Sequence, residues 1–249
     1  MKFDLNLGLL DMLARGGIDD TLFYVLYIAF ILVSMAAGYL LGSINTSIIV
    51  SKIFYRDDIR RHGSGNAGMT NMLRTYGAKA ALLTLFGDIF KTVLAIFVAG
   101  ALLGFCYIGG IATGWGGYLA GLFAVFGHVF PIYYGFKGGK GVLTTATVAL
   151  VLSPIPFAIL MLLFVIIVYF SRYVSLGSVC AVVLYPVVVN GYFQVRFGQG
   201  STPGIIALVT IIIAILVVWC HRGNLARISN RTERKLSFGK KKNEDGTEE

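Results

Sequence analysis

The sequence predicts an all-α, polytopic membrane protein with about seven transmembrane helices, one of them short or broken. Three observations carry this. Of 249 residues, 57% are hydrophobic and 13% charged, about half the charged share of an ordinary soluble domain. Mean hydropathy is +0.79. Long apolar runs occupy residues 22–50, 80–103, 115–131, 142–170, 174–190 and 204–220. A helical span needs roughly 20 apolar residues, and lipid leaves backbone polar groups no partner but each other. The runs are too long and too uniformly apolar for the alternating strands of a barrel.

Residues 1–21 form an N-terminal extension. Lys2 and Arg15 stand there against Asp4, Asp11, Asp19 and Asp20, and the apolar run that follows is too long for a signal peptide. The connection 51–79 is basic (Lys52, Arg56, Arg60, Arg61, Arg74, Lys79), whereas 104–114 carries no charge. Positively charged connections stay in the cytoplasm, so the first of these is expected inside and the second outside. The connection 132–141, with Lys137 and Lys140, returns inside.

Run 142–170 is ambiguous. As one span it would put Arg172 and the basic C-terminus outside, against the charge rule. The "SPIP" stretch at 153–156 removes a backbone donor twice and predicts a break there. The first half, 142–152, then rises only about 16 Å and cannot cross a bilayer core without sheltering neighbours. With that break the count is seven, the N-terminus lies outside, and the helical domain (22–220) ends in a basic cytoplasmic segment and tail (221–249).

Four polar connections thereby share one membrane face: 51–79, 132–141, 171–178 and 221–235. In the first, "GSGNAGMTN" (63–71) places Gly63, Gly65 and Gly68 among Ser64, Asn66, Thr70 and Asn71, with Arg74 behind. Glycine lets backbone N–H groups approach an anion, the neutral side chains add donors, and a guanidinium fits phosphate. The plainer reading is a glycine-rich turn with Thr70 or Asn71 as helix N-cap.

In the second, "FKGGKGV" (136–142) lacks the P-loop spacing, because Tyr134 and Gly141 stand where Gly and Ser/Thr are required. Gly138, Gly139 and Lys140 at the start of an apolar helix still suit an anion; Lys137 marks the cytoplasmic side. The third connection combines Arg172 with Ser175 and Ser178 on one helical face; these serines are equally compatible with helix packing. The fourth puts His221, Asn224 and Arg227 on one face.

Asp88 and Lys91 lie inside the second span, either as a structural ion pair or as part of a site wall. His128 and Pro131 are expected to shape a helix end. Cys106, Cys180 and Cys220 have no metal-like spacing, and no metal site or cofactor is expected. The basic stretch from Arg222 to Lys242 has no interleaved aromatics for stacking on bases. It reads as a topology signal and a contact for anionic lipid, not for nucleic acid.

Taken in order, "GSGNAGMTNMLR" (63–74), "FKGGKGV" (136–142), "RYVSLGS" (172–178) and "HRGNLARI" (221–228) with Glu233 resemble the bacterial integral-membrane acyl-phosphate:glycerol-3-phosphate acyltransferases. "GYLLGSI" (38–44) resembles the family's first helix, and the likeness extends over residues 24–235. Asn45 stands where the family commonly has proline, Met69 where it has alanine, and Arg231 where it has glycine.

The resemblance implies transfer of a fatty acyl group from acyl phosphate to the 1-hydroxyl of sn-glycerol 3-phosphate. Lysophosphatidic acid and inorganic phosphate are the products, in the first step of phospholipid synthesis at the bacterial cell membrane. It implies the enzyme that supplies acyl phosphate as a candidate partner, and a structural role for Glu233.

Both substrates carry phosphate, so Arg74 and Lys140 are expected to neutralise the two groups. Ser64, Thr70, Asn71, Ser178 and Asn224 would orient glycerol and carbonyl, and the glycines would supply backbone donors. His221 is a candidate general base or phosphate contact. A covalent acyl-Ser64 is the less favoured route, because no His/Asp partner lies nearby in sequence.

The His-x4-Asp chemistry of soluble-headed acyltransferases is absent, since Ala67, Tyr133 and Ala226 follow the three histidines at that spacing. A transporter or channel for a phosphorylated metabolite is the non-enzyme alternative. The uncharged outward connection and the lack of an internal repeat argue against it.

Overall fold

A computed structural model describes Gly17 and residues 19–105 and 115–236, with side chains described except at 103–105. The extension before Gly17, most of the expected outward connection with Cys106, and the basic tail from residue 237 lie outside the described residues. Among the described residues no strand occurs. The α-helices are α1 (Asp20–Gly42), α2 (Thr46–Tyr55), α3 (Met69–Tyr76), α4 (Ala78–Phe105), α5 (Trp115–Val129), α6 (Val142–Leu152), α7 (Pro154–Ser171), α8 (Val174–Phe197), α9 (Gly204–Cys220) and α10 (Arg222–Ser229).

The break at "SPIP" is present: α6 ends at Leu152 and α7 starts with Pro154, where a missing N–H costs nothing. The first run differs from expectation. Residues 22–50 form two helices, because Asn45 caps α2 by accepting from Ile48 N at 3.1 Å, and residues 43–45 leave the helical path.

The count of seven is not reached by self-sufficient spans. Among the described residues five stretches are long and apolar enough to cross alone, the broken α1–α2 stretch counting as one, and a sixth arises if α9 continues into α10 through a 53° bend. Helix α6 has 11 residues and is sheltered by α4, α5 and α7, as its length requires.

Lipid tails are as apolar as leucine, so helices associate here through close packing more than through water exclusion. Small residues make that possible on α1 and α5. A Cβ on Gly42 would overlap the backbone of Ala124, and one on Gly127 would overlap the backbone between Tyr39 and Ser43. A larger core joins Tyr118 and Leu122 of α5, Tyr185 and Val189 of α8, and Ile206 and Ile213 of α9. Outward-facing Ile155, Ile159, Leu162 and Val165 on α7 are exposed, as a lipid-facing surface requires.

Candidate functional site

The first polar connection is braced by one asparagine. Asn71, 2% exposed, accepts from Ser64 N at 3.0 Å and donates to the carbonyls of His62 at 2.9 Å, Asn66 at 3.1 Å and Ile59 at 3.3 Å. Its polar capacity is committed to the loop, so it shapes the connection from within instead of projecting toward a ligand. Gly63 permits this with φ +60°; a Cβ there would collide with Asn71 Oδ1. Neither Thr70 nor Asn71 caps α3, because Gly68 holds the N-cap position.

The glycines contribute turns more than donors. The N–H groups of Gly65, Gly68, Gly138 and Gly139 already donate, to the carbonyls of His62, Asn66, Val129 and His128. Among the N–H groups without a backbone acceptor are those of Gly63, Lys140 and Gly141 and the first-turn groups at Met69 and Thr70 of α3 and at Val142 and Leu143 of α6.

Arg60 ties the first connection to the second. Its guanidinium pairs with Asp58 at 2.7 Å and donates to the carbonyls of Tyr134 at 2.7 Å and Lys137 at 3.3 Å. The hydrogen bond from Arg60 lowers Asp58 to a pKa of about 2. From the other side, Asn45 Nδ2 donates to the Ala67 carbonyl at 3.3 Å.

The second connection reaches the fourth through Lys140, whose Nζ donates to Asn224 Oδ1 at 2.5 Å. Asn224 Nδ2 then donates to Glu233 Oε1 at 2.6 Å, and Ser175 Oγ donates to the same oxygen at 2.8 Å. Arg227 Nε reaches Glu233 Oε2 at 2.7 Å. Glu233 folds back because Arg231 adopts φ +57°, the left-handed geometry that glycine prefers, while Thr232 N and Glu233 N cap the Arg227 carbonyl. The third connection closes the ring: the Arg172 carbonyl accepts from Leu236 N at 2.7 Å.

Burial lowers the Lys140 pKa; Glu233 opposes that shift, and Arg227 and Arg74 reinforce it. Three cations from three connections thus act on one another around a single carboxylate, and their surplus of positive charge attracts anions. Burial would raise Glu233, but the hydrogen bonds from Asn224, Arg227 and Ser175 outweigh it and hold its pKa below the usual value.

Lys140, Asn224, Arg227, Ser175 and Glu233 are therefore joined directly, and Arg74 lies within electrostatic reach. Ser178 is not part of the ring; its hydroxyl donates to the Val174 carbonyl one turn back. His221 is buried, with Nδ1 2.7 Å from the Val217 carbonyl. That contact requires the proton on Nδ1 and leaves the Nε2 lone pair available. Ser64 and His221 form no hydrogen bond with each other.

Two groups escaped the sequence. His62 Nε2 lies 2.5 Å from Asp57, two residues before Ser64, although no such pair was expected there; the His–Asp spacing of five was the available signal. His128 is not merely a helix end: its Nδ1 meets Lys91 Nζ at 2.9 Å, and Lys91 pairs with Asp88 at 2.9 Å. The Asp88/Lys91 spacing pointed to a pair, but nothing in the sequence pointed to a histidine 37 residues away.

A family model described as glycerol-3-phosphate acyltransferase matches residues 32–231. The glycerol-3-phosphate acyltransferase of Halalkalibacterium halodurans is 43% identical over 82% of this chain and 94% of its own. That of Syntrophomonas wolfei is 41% identical over 80% and 93%. The crystal structure of PlsY (YgiH), an integral membrane glycerol 3-phosphate acyltransferase, in its glycerol 3-phosphate form matches with a TM-score of 0.69 at 32% identity, covering 83% of this chain and 96% of that one. Its lysophosphatidic acid form matches at 0.66 and 31%, covering 83% and 95%.

Proposed function

The chain belongs to the glycerol-3-phosphate acyltransferase family, and from that premise we propose that it acylates the 1-hydroxyl of sn-glycerol 3-phosphate with acyl phosphate as donor. The products are lysophosphatidic acid and inorganic phosphate, in the first step of phospholipid synthesis. The observation that carries this reading is the Lys140–Asn224–Glu233 ring, which gathers cations from separate connections at one end of the helices. A reaction between two phosphorylated molecules needs that charge.

An acyl phosphate is a mixed anhydride and already activated, so the protein mainly positions the reactants and neutralises charge. The glycerol oxygen attacks the carbonyl carbon, the carbonyl-to-phosphate oxygen bond breaks, and phosphate leaves with the electron pair. Arg74 and Lys140 hold the phosphates. Ser64, Asn66, Thr70 and Asn224 orient the glycerol and carbonyl, assisted by Arg172 and Arg227. The hydroxyl proton passes to the departing phosphate or to His221; the free Nε2 lone pair supports His221.

The acyl tail has a place in an apolar groove of about 380 Å³ lined by Phe126, Phe130, Ile212, Ile215, Leu216 and Trp219. Trp219 stands two residues before His221, and its ring is 6.0 Å from that of Phe130. The polar connections and C-terminus face the cytoplasm of a bacterial cell membrane, with the N-terminal extension outside, as the charge asymmetry supports.

The test is an assay of purified protein with palmitoyl phosphate and glycerol 3-phosphate, with acyl-CoA as control donor. Labelled lysophosphatidic acid from the first donor alone supports the reading. Product from acyl-CoA alone overturns the donor assignment, and glycerol 3-phosphate uptake into vesicles without product supports a transporter.

A further inference from the structure

Helix α4 carries two buried charges that the mechanism leaves unused. Phe86 and Phe90 on its outer side are 66% and 69% exposed, whereas Asp88 and Lys91 are 1% and 4% exposed. Charges inside a membrane persist where partners surround them. Lys91 Nζ has three: Asp88 Oδ1 at 2.9 Å, the Ile44 carbonyl at 2.6 Å and His128 Nδ1 at 2.9 Å. An ammonium donates three hydrogens and accepts none, so all three are placed, and His128 must carry its own proton on Nε2.

Each partner leads to a glycine-rich connection. Asp88 Oδ1 also faces Thr46 N at 3.4 Å, so the pair grips both sides of Asn45, which holds the Ala67 carbonyl of the first connection. His128 holds the second connection: its carbonyl accepts from Gly139 N at 3.1 Å. Its ring lies so close to Gly139 that a Cβ there would overlap Nε2, and that Cβ would also sit 2.8 Å from the Ala67 carbonyl oxygen. Ala67 and Gly139, one from each connection, therefore meet beside one imidazole.

We infer that Asp88, Lys91 and His128 are positioning residues that fix the spacing between the two glycine-rich connections, and through it the placement of Lys140 and the α6 N-terminus against phosphate. The inference rests on the functional reading above. The triad touches no substrate; it acts through Asn45, Ala67 and Gly139. Small displacements of binding groups are costly even when the chemistry lies elsewhere.

The experiment compares purified wild-type protein with His128→Phe, His128→Asn and the neutral double variant Asp88→Asn/Lys91→Gln. It measures KM and kcat for both substrates and the thermal midpoint in detergent. His128→Phe removes the ring nitrogens, whereas His128→Asn keeps an acceptor for Lys91 and an N–H donor. The expected result is a rise of about tenfold in KM for glycerol 3-phosphate or acyl phosphate in His128→Phe, with a midpoint near wild type, and recovery of most of it in His128→Asn.

If His128→Phe does not fold, the double variant decides by the same rise in KM. Unchanged KM values in the folded variants, a loss confined to kcat, or failure of both variants to fold overturns the inference. Wild-type protein that makes no product from palmitoyl phosphate instead defeats the functional reading itself.

Discussion

Lys140 Nζ and Asn224 Oδ1 lie 2.5 Å apart although 84 residues separate them in the chain. The amide is in turn oriented by Glu233, so the ammonium is aimed by a fixed acceptor and not left to sweep the surface as a solvated lysine would. A lysine in that setting acts as a placed charge.

Lys140→Met keeps most of the length of the side chain and removes the charge. The proposed activity should fall at least about 100-fold in kcat/KM, equivalent to about 2.7 kcal/mol of transition-state stabilisation. The thermal midpoint should stay close to wild type. Wild-type kinetics would remove Lys140 from the mechanism.

Glu233 predicts a pH dependence of stability. Its folded pKa lies below the ordinary 4.5, so the unfolded chain takes up the proton first as pH falls. Its contribution is therefore complete above that value and lost as pH drops through the lower folded value. The detergent thermal midpoint should decline below about pH 4.5, and Glu233→Gln should flatten part of that decline. A slope identical in the two proteins would mean that the ring does not hold the carboxylate.

Gly63→Ala should damage the first connection. Left-handed geometry costs an alanine about 1–2 kcal/mol, and the added carbon would push into Asn71 Oδ1. The expected signature is weaker binding of the phosphorylated substrate together with a fall of several degrees in the midpoint, measured as KM and by thermal unfolding.

Gly42→Val tests helix packing instead of chemistry. The side chain would enter the backbone of Ala124, so α1 and α5 must separate. A large drop in the thermal midpoint or in yield is expected, with no selective change in KM.

Topology is tested by single cysteines at Ser64, Lys140 and His221 in a background lacking Cys106, Cys180 and Cys220. A membrane-impermeant thiol reagent should reach the Ser64 and Lys140 positions from the cytoplasmic side alone, and the buried His221 position only once detergent opens the fold. Accessibility from opposite sides would dismantle the proposed site.

Much of this architecture was legible because the signals were local. Apolar length announces helices, and the prolines at 154 and 156 announced the break before α7 through their missing donors. The break at residues 43–45 was not legible. Ser43 and Asn45 sit in a run whose hydropathy reads straight through, and what stabilises the interruption comes from Asp88 and Lys91 on another helix.

The candidate site residues were legible as types, since glycine, hydroxyl, amide and cation cluster in short stretches. Their division of labour was not, because it depends on partners far away in sequence. Asn71 is committed to its own loop, Ser178 to its own helix, and Ser175 to Glu233, 58 residues on. Arg231 shows the limit of reading by residue type: it occupies a left-handed position that glycine prefers, yet the turn that returns Glu233 to Asn224 still forms.

The interrupted first span also bears on how the protein is built. The Ile44 carbonyl and the Thr46 N–H at the interruption are partnered by Lys91 and Asp88 of α4, and Lys91 there completes its own set with His128 of α5. Lipid offers no substitute partner for such groups. The interruption in the first span is therefore satisfied only when α4 and α5 are both packed against it, which makes these three segments one interdependent unit.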